Sequence, residues 1–236
     1  MTRDQVAALG RSYEKSRSNQ FLWMTPVAIG FVAIGLRMWR DGDPGGLLTV
    51  VFFGAFVPIA PMMILQGFKK GRYAGGVLEA RTSPWEAVLR FAGLGMVSGG
   101  SLMGVYALGL SETGFLLLAC GLFIGCLGLL SAVQAVKPGP ILIVGPAGYL
   151  DRRMSREPIA WRDVESVDVA KVKTNRFLQL RVHDAPENRT LLRRVNSLFG
   201  FGGCTLDGSG LNCTTADILL AIHAHAPDLF SEVVAD

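Results

Sequence analysis

Residues 115–130 read FLLLACGLFIGCLGLL, an apolar run without a charged side chain. Helices on the surface of soluble proteins carry a polar face, which this run lacks. Stretches of this kind recur through the first 136 residues; they are Phe21–Met38, Leu47–Gln66, Val88–Leu110 and Thr113–Ala135. Each approaches or exceeds the length of about 20 residues that crosses a bilayer as a helix. Because the bilayer interior offers no water to satisfy backbone groups, the sequence predicts an α-helical membrane domain with four transmembrane helices.

The first of these stretches is predicted to be an uncleaved anchor. A charged segment precedes it, and Leu36-Arg-Met-Trp-Arg40 at its end lacks the small residues of a signal-peptide cleavage site. The chain is therefore expected to have consecutive parts: a cytoplasmic tail over residues 1–20, a four-helix transmembrane domain over residues 21–136 and a cytoplasmic domain over residues 137–236.

Lys and Arg residues concentrate in particular segments between the apolar stretches. The N-terminal segment has four of them, whereas the Ser111-Glu112 turn has none. The loop between the second and third stretches has Lys69, Lys70, Arg72 and Arg81, and Arg90 lies near the start of the third stretch. Cytoplasmic loops of membrane proteins carry the excess of Lys and Arg. The sequence therefore predicts a multi-pass protein of the bacterial inner (plasma) membrane with both termini in the cytoplasm. Arg37 and Arg40 oppose this orientation mildly, although such side chains can snorkel to an interface.

The basic charge of the whole chain, +4 with a pI near 9.0, belongs to its first 136 residues. Residues 137–236 contain twelve Lys and Arg and twelve Asp and Glu. Membrane topology and attraction to anionic inner-leaflet lipid explain this division better than a DNA-binding face does. The expected partners are membrane lipids and either another protein or further copies of this chain as a homo-oligomer; no nucleic acid is expected.

Glycines recur at four-residue spacing in the third and fourth stretches. Such spacing lets helix backbones approach closely, so these two helices are predicted to form an antiparallel hairpin. Its glycines are expected to face each other or the hairpin of the first two helices. The helix-packing candidates are Gly95, Gly99, Gly100, Gly104, Gly121 and Gly125. In the second stretch, Pro58 and Pro61 remove two backbone donors and predict a kink. Broken helices often mark transporter substrate sites, but no acidic residue or histidine lies inside these stretches.

Beyond the fourth stretch the pattern changes to short strands separated by turn residues. Ile141–Val144 and Tyr149–Met154 flank a turn over Gly145–Gly148. Phe177–His183 alternates apolar and polar residues, as half-buried strands do. Thr214-Thr-Ala-Asp217 resembles a capping box at the start of an amphipathic helix. The predicted order is several antiparallel strands followed by one C-terminal helix, with a short helix and a hairpin loop between residues 191 and 203.

Within this region, Pro158-Ile-Ala-Trp-Arg-Asp-Val-Glu-Ser-Val167 resembles the Ile-x-Trp-x-Asp-Ile signature that opens a strand in bacterial pleckstrin-homology-like (PH-like) domains. Pro140–Asp151 is similar to their first hairpin, and Leu211–Leu220 is similar to their closing helix. The resemblance implies a β-rich bent sandwich or partly open barrel with a C-terminal capping helix, and it places Trp161 in the core. Proteins of this kind usually have two membrane spans and are mostly uncharacterised, so the resemblance transfers no activity.

Two groups of basic residues form the candidate binding site for lipid or a partner. The first hairpin loop has no basic residue, unlike the loop with which eukaryotic relatives bind phosphoinositides. The candidates follow that hairpin or surround the turn before Phe177; they are Arg152, Arg153, Arg156, Lys171, Lys173 and Arg176. If they face the bilayer, each charge contributes on the order of 1 kcal/mol of attraction to anionic lipid. Ordinary solvated strands and turns would carry the same residues.

The sequence contains none of the common catalytic motifs. It has no P-loop, no G-x-S-x-G and no H-E-x-x-H, and its cysteines and histidines lack the spacing of a metal site. Neither a cofactor nor a metal nor enzyme activity is predicted. The leading hypothesis is a non-enzymatic integral membrane protein whose cytoplasmic PH-like domain docks a protein partner or the inner-leaflet surface. The alternative is a small-solute transporter or channel subunit with a regulatory soluble domain.

Overall fold

The computed structural model describes residues 1–54, 60, 64, 69, 71–109, 111–136, 139–172, 175–183, 204–208 and 210–230. The α-helices within these residues are α1 (Arg3–Arg40), α2 (Pro44–Gly54), α3 (Pro84–Leu108), α4 (Glu112–Val136) and α5 (Thr215–His225). Helix α2 follows Asp43, whose Oδ1 accepts a hydrogen bond from the Gly45 amide at 2.8 Å. Helix α3 begins at Pro84, because the proline ring presets φ for a first helical turn.

Two helical segments are long and apolar enough to cross a membrane, by length and composition. They are Leu22–Arg40 of α1 and Pro84–Tyr106 of α3, and only 11% and 18% of their apolar windows are buried. The apolar helical segments Gly45–Gly54 and Gly114–Cys126 are shorter. Helix is thus present in all four predicted stretches, and two have the properties of a span in the described part of the chain. The predicted kink at Pro58 and Pro61 lies outside the described residues.

The chain divides into two compact units, each built from separate stretches of sequence. Unit one comprises Met1–Lys15, Lys69–Thr82 and Gly139–Asp236, and unit two comprises Ser16–Phe68 and Ser83–Pro138. This division differs from the predicted succession of tail, membrane domain and cytoplasmic domain. Residues 69–82 are here named the strap. The strap and the N-terminal residues cluster with the C-terminal region because Val6 and Ala80 are fully buried in its core.

Unit one contains two three-stranded antiparallel sheets. The first has the order β1 (Leu78–Ala80), β2 (Leu142–Gly145), β3 (Gly148–Asp151), and the second has the order β4 (Val164–Val172), β5 (Asn175–Val182), β6 (Cys204–Thr205). The predicted antiparallel strands over 141–144, 149–154 and 177–183 are confirmed as β2, β3 and β5. Strand β1 comes from the strap and pairs with β2. Within the described residues the sheets do not close into a barrel, so the PH-like sandwich stays a prediction.

The region of the predicted strand signature takes a different local form. Ile159 forms an isolated bridge with Tyr149, and Trp161–Asp163 is a 3-10 turn that leads into β4. Trp161 packs against the core while half-buried, and its Nε1 donates to Gly145 O at 3.0 Å. The indole nitrogen of this half-buried side chain thus has a backbone partner in the first hairpin.

Both sheets and α5 fill the core of unit one. Leu178 and Leu180 of β5 are buried on the same face, and Ile218 of α5 is fully buried. The side chain of Thr214 accepts from the Asp217 amide, and the side chain of Asp217 accepts from the Thr214 amide. The predicted capping box and C-terminal helix are therefore confirmed. The helix and loop predicted between 191 and 203 lie outside the described residues.

Candidate functional site

Three arginines of the candidate site follow β3, and one of them turns inward. The Nη2 atom of Arg153 lies 2.8 Å from Asp151 Oδ2 and donates to Asp207 O at 2.9 Å. Asp151 is fully buried. Burial disfavours the arginine charge, but the Asp151 carboxylate outweighs this effect and raises the pKa of Arg153 above its usual value. Arg153 therefore stabilises the turn after β3, while Arg152 and Arg156 are exposed.

The second group of basic residues belongs to the hairpin between β4 and β5. Lys171 and Arg176 are register partners across this hairpin. Lys173 lies outside the described residues. The structure therefore places Lys171 and Arg176 on one sheet of unit one, whereas Arg152, Arg153 and Arg156 follow the last strand of the other sheet.

A further exposed arginine, Arg81, lies at the end of β1 near Arg152. The Ile141 amide donates to Ala80 O at 2.8 Å, and the Arg152 amide donates to Ile141 O at 2.9 Å. The ends of three neighbouring strands thus bring Arg81, Ile141 and Arg152 side by side. From the sequence alone, Arg81 is one of the basic residues in the loop between the second and third apolar stretches. Only the apolar–polar–apolar alternation of Leu78-Glu-Ala80 indicates the strand β1 beside it.

Both exposed arginines lie a short stretch of chain from an apolar helix. Arg81 precedes Pro84, the first residue of α3, by three positions, and Gly139 follows Val136, the last residue of α4, by three. A Cβ atom built on Gly139 would lie 3.7 Å from Arg152 Nη1. Three residues of chain span at most about 11 Å. Short connections therefore join this end of the first sheet to both helices.

Large aromatic side chains are exposed at both ends of the two candidate spans. Trp23 and Trp39 flank the apolar part of α1, and Trp85 and Tyr106 flank that of α3, with exposed fractions from 55% to 94%. At about 1.5 Å per helical residue, the members of each pair are about 24 Å and about 32 Å apart. Trp and Tyr are enriched at the two interfaces of a bilayer, whose hydrocarbon core is about 30 Å thick. This placement is typical of membrane helices.

Gly100 and Gly104 of α3 lie against α2. A Cβ atom built on Gly100 would overlap the side chain of Val51, and one built on Gly104 would lie 2.5 Å from Leu48 Cδ2. Real Cβ atoms do not approach other atoms so closely. Glycine at these two positions therefore lets α2 reach the backbone of α3.

Gly121 and Gly125 of α4 lie against α3 at Ser98. The Ser98 hydroxyl donates to Gly121 O at 2.8 Å, and its oxygen would lie 2.8 Å from a Cβ built on Gly125. Cβ positions at Gly95 and Gly99 have no atom of the described residues within 4 Å. In the described part of the chain, two of the three glycine pairs thus pack against a helix and one does not.

The start of α5 is a junction of the three segments of unit one. The Thr215 amide donates to Glu14 Oε1 of α1. Asp217 Oδ1 accepts from the amides of Arg72 and Tyr73 in the strap, each at 2.8 Å. Burial raises the pKa of Glu14, and the hydrogen bond from Thr215 opposes that rise. These two carboxylates therefore hold the segments of unit one together.

Two further titratable groups are buried in unit one. Burial raises the pKa of Tyr149 well above its ordinary value, and it raises the pKa of Cys213 to about 12. Such a thiol stays protonated at neutral pH and is a poor nucleophile. Across the residues that the structure describes, no group of three or more His, Cys, Asp or Glu side chains could hold a metal ion.

An apolar cavity of about 300 Å³ lies in unit two between α2, α3 and α4. Thr49 and Ser101 contribute the hydroxyl groups among its lining residues. Thr49 Oγ1 donates to Gly45 O at 3.0 Å, and Ser101 Oγ donates to Val97 O at 2.9 Å. Both hydroxyl hydrogens are therefore engaged within their own helices, and the wall of the cavity is mainly apolar.

No protein-family model, curated protein or solved structure matches this chain.

Proposed function

We propose that this chain is a non-enzymatic integral membrane protein of the bacterial inner membrane, with four spans and both termini in the cytoplasm. Unit one is its PH-like cytoplasmic domain, which docks on the anionic inner-leaflet surface. The observation that carries the proposal is the assembly of unit one from three segments that alternate with apolar helices.

The alternation of segments supports the four-span topology. Residues 1–15, the strap and residues 139–236 belong to unit one, and apolar helices occupy the two intervals between them. A chain that leaves a domain and returns to it on the same side of a bilayer crosses the bilayer an even number of times. Two crossings in each interval correspond to the four predicted spans. This support is independent of the Lys and Arg distribution, because packing rather than charge defines unit one.

The surface of the candidate spans supports a lipid environment. A core helix of a soluble protein is mostly buried, whereas only 11% and 18% of the apolar windows of these two segments are buried. A cleaved signal sequence would be lost from the mature protein, whereas Val6 and Glu14 of α1 are packed into unit one. The aromatic pairs at the helix ends fit the two interfaces of a bilayer.

The order of elements in unit one supports the PH-like assignment. Antiparallel hairpins precede α5, and Trp161 packs against the core beside the first hairpin. Strand β1 departs from the family pattern, since it comes from the strap rather than from the consecutive domain sequence.

Two exposed arginines and a pair of basic hairpin positions support docking on an anionic surface. Arg152 and Arg156 are exposed after β3, and Lys171 and Arg176 occupy paired positions at the end of a hairpin. Each such charge near an anionic leaflet contributes about 1 kcal/mol of attraction.

The cavity in unit two bears on the alternative function, a small-solute transporter or channel subunit. A polar solute entering this cavity would lose hydrogen bonds to water, and the apolar wall would replace few of them. The hydroxyls of Thr49 and Ser101 already donate to their own helices. The described part of unit two therefore favours docking over transport of polar solutes.

Reporter fusions test the topology of the proposal. Green fluorescent protein, which reports the cytoplasm, and alkaline phosphatase, which reports the periplasm, are each joined after Gly75, Ser111 and Asp236. We expect cytoplasmic signals after Gly75 and Asp236 and a periplasmic signal after Ser111. A periplasmic signal after Gly75 would contradict the proposal, because the strap would then be separated from the rest of unit one.

Two measurements on the full-length protein test docking against its alternatives. Crosslinking in intact membranes followed by affinity capture identifies whether lipid or protein contacts unit one, and we expect anionic lipid. A single reproducible protein crosslinked to unit one would replace the leaflet as the docking partner. Solute-dependent flux through reconstituted vesicles would favour the transporter.

A further inference from the structure

We propose that Arg81 and Arg152 together bind the phosphate group of an anionic phospholipid of the inner leaflet. This inference rests on the proposed function, because it requires the end of the first sheet to lie at the cytoplasmic membrane surface. It adds a defined headgroup site, and it adds Arg81, which belongs to neither basic group indicated by the sequence.

The register of the first sheet brings the two arginines together. Ala80 and Asp151 are both register partners of Leu142, and Arg81 and Arg152 directly follow them. Neighbouring strands are about 4.8 Å apart, so the two arginine backbones lie about 10 Å apart across the intervening strand. Two long arginine side chains that leave such positions can reach one phosphate group between them.

Hydrogen bonds fix the backbone at both positions. The Arg81 amide donates to Asn212 Oδ1 at 2.9 Å, and Arg81 O accepts from the Asn212 amide at 2.9 Å. The Arg152 amide donates to Ile141 O at 2.9 Å. Rigid attachment points lower the entropy lost when the side chains close on a ligand.

The charges of both side chains remain available for a ligand. Arg81 and Arg152 have no ion-pair partner among the described residues, whereas Arg153 pairs with Asp151 and Arg181 pairs with Asp168. A guanidinium group donates two parallel hydrogen bonds to phosphate oxygens, and it stays charged at all physiological pH values. A phosphate monoanion between two such groups is the ligand that fits this pair.

The length of the connections sets the depth at which the pair can lie. A headgroup layer is about 5–7 Å thick on each side of the hydrocarbon core. Arg81 is three residues from the start of α3. The Arg152 guanidinium lies beside Gly139, which is three residues beyond the end of α4. Because each connection spans at most about 11 Å, both arginines lie within reach of the headgroup phosphates when α3 and α4 cross the membrane.

Lipid binding to the detergent-solubilised full-length protein, measured by native mass spectrometry, tests this site. Arg81→Gln and Arg152→Gln are each expected to weaken binding of phosphatidylglycerol about fivefold, and the double variant is expected to weaken it more than about tenfold. Phosphatidylcholine, whose headgroup carries no net charge, should bind weakly and equally to all proteins. Unchanged binding of phosphatidylglycerol to the double variant would overturn the proposal.

The matched control is Arg162→Gln. Arg162 is an exposed arginine beside Trp161, whose indole binds Gly145 at the opposite end of the first sheet. Its Nε lies 3.6 Å from Asp163 Oδ1, in an ion pair that is open to solvent. We expect this control to leave phosphatidylglycerol binding nearly unchanged. An equal loss in Arg162→Gln and in Arg152→Gln would show diffuse attraction rather than a site, and it would also overturn the proposal. Thermal unfolding of every variant in the same detergent separates lost binding from lost folding.

Further outcomes identify other ligands. Displacement of phosphatidylglycerol by inorganic phosphate at equal concentration would identify free phosphate as the ligand and overturn the lipid site. Loss of a crosslinked protein from the double variant, with lipid binding retained, would assign the two arginines to a protein interface. A periplasmic reporter signal after Gly75 would instead refute the proposed function. Failure of the lipid site alone, with the topology intact, is therefore distinguishable.

Discussion

At the residue scale, Asp217 performs a local task and a long-range task with its two carboxylate oxygens. Oδ2 accepts from the Thr214 amide and hydroxyl, each at 2.9 Å, and so completes the capping box of α5. Oδ1 accepts from the Arg72 and Tyr73 amides of the strap. Glu14 binds the Thr215 amide beside it. The start of α5 thereby satisfies its own free amides and also fixes the position of two distant segments.

A Glu14→Gln substitution is expected to remove part of the pH dependence of stability. Burial, with contributions from Asp207 and Asp217, raises the pKa of Glu14 above its ordinary value of 4.5. The folded state therefore binds the proton more tightly than the unfolded state. The free energy of unfolding falls as the pH rises from about 4.5 through the raised pKa, and it is constant above that value. Glutamine stays neutral and can still accept from the Thr215 amide.

Denaturant unfolding of unit one between about pH 4 and about pH 8 checks this prediction. As the pH rises through the lower part of this range, the natural protein should lose stability and Glu14→Gln should not. The free energy of unfolding of Glu14→Gln relative to the natural protein should therefore increase with pH. Glu79→Gln, which neutralises an exposed carboxylate of β1, is the control for a general effect of lost negative charge. Parallel pH profiles for the natural protein and Glu14→Gln would contradict the burial of this carboxylate.

At the element scale, α3 has two glycine faces with different surroundings. Gly100 and Gly104 lie against Val51 and Leu48 of α2, whereas Gly99 on the adjacent face has no described atom within contact distance. The same four-residue spacing of glycine thus gives a packed face and an open face on one helix. Tight packing makes added volume costly on the first face, while the second face has room for it.

Substitutions at adjacent glycines distinguish these two faces. Gly100→Ala places a Cβ atom into the side chain of Val51 and is expected to cost about 1–3 kcal/mol of the free energy of unfolding. Gly99→Ala meets no described atom and is expected to be neutral, or stabilising by up to about 1 kcal/mol through helix propensity. Unfolding in mixed detergent and SDS micelles measures both. Equal effects at the two positions would contradict the packing of α3 against α2.

At the scale of the whole molecule, the domain that follows the last apolar helix is incomplete by itself. It receives β1 and Ala80 from the strap, and it receives Val6 and Glu14 from the start of α1. Without these segments, β2 would have an unpaired edge and the core would be open to water. Folding of unit one therefore depends on segments that apolar helices separate in the chain.

A fragment of residues 139–236 is expected not to fold cooperatively. Loss of the strap removes the ladder between β1 and β2 and the hydrogen bonds to Asp217. Loss of residues 1–15 uncovers the core where Val6 is buried. Linking residues 1–15 and 69–82 to this fragment through flexible linkers should restore a cooperative thermal transition, measured by circular dichroism. Cooperative unfolding of the fragment alone, at the same midpoint, would contradict the dependence.

The local features of this chain follow from contiguous residues. Four apolar stretches, the strands β2, β3 and β5, and the capping box of Thr214 and Asp217 each depend on a few neighbouring positions. Periodicity and composition report such properties directly. The candidate site is only partly predictable from such patterns. Arg152 and Arg156 are exposed as the sequence suggests, but the pairing of Arg153 with Asp151 depends on burial.

Only the tertiary structure decided which segments share a domain and which arginines lie together. Arg81 meets Asn212 across 131 positions, and Glu14 meets Thr215 across 201 positions. No local pattern encodes such pairs, because each half looks like an ordinary loop charge or helix residue until the core forms. The amino-acid pattern alone determined that the chain carries apolar helices beside a polar, strand-rich region. Long-range burial decided that this region is built from three separated segments.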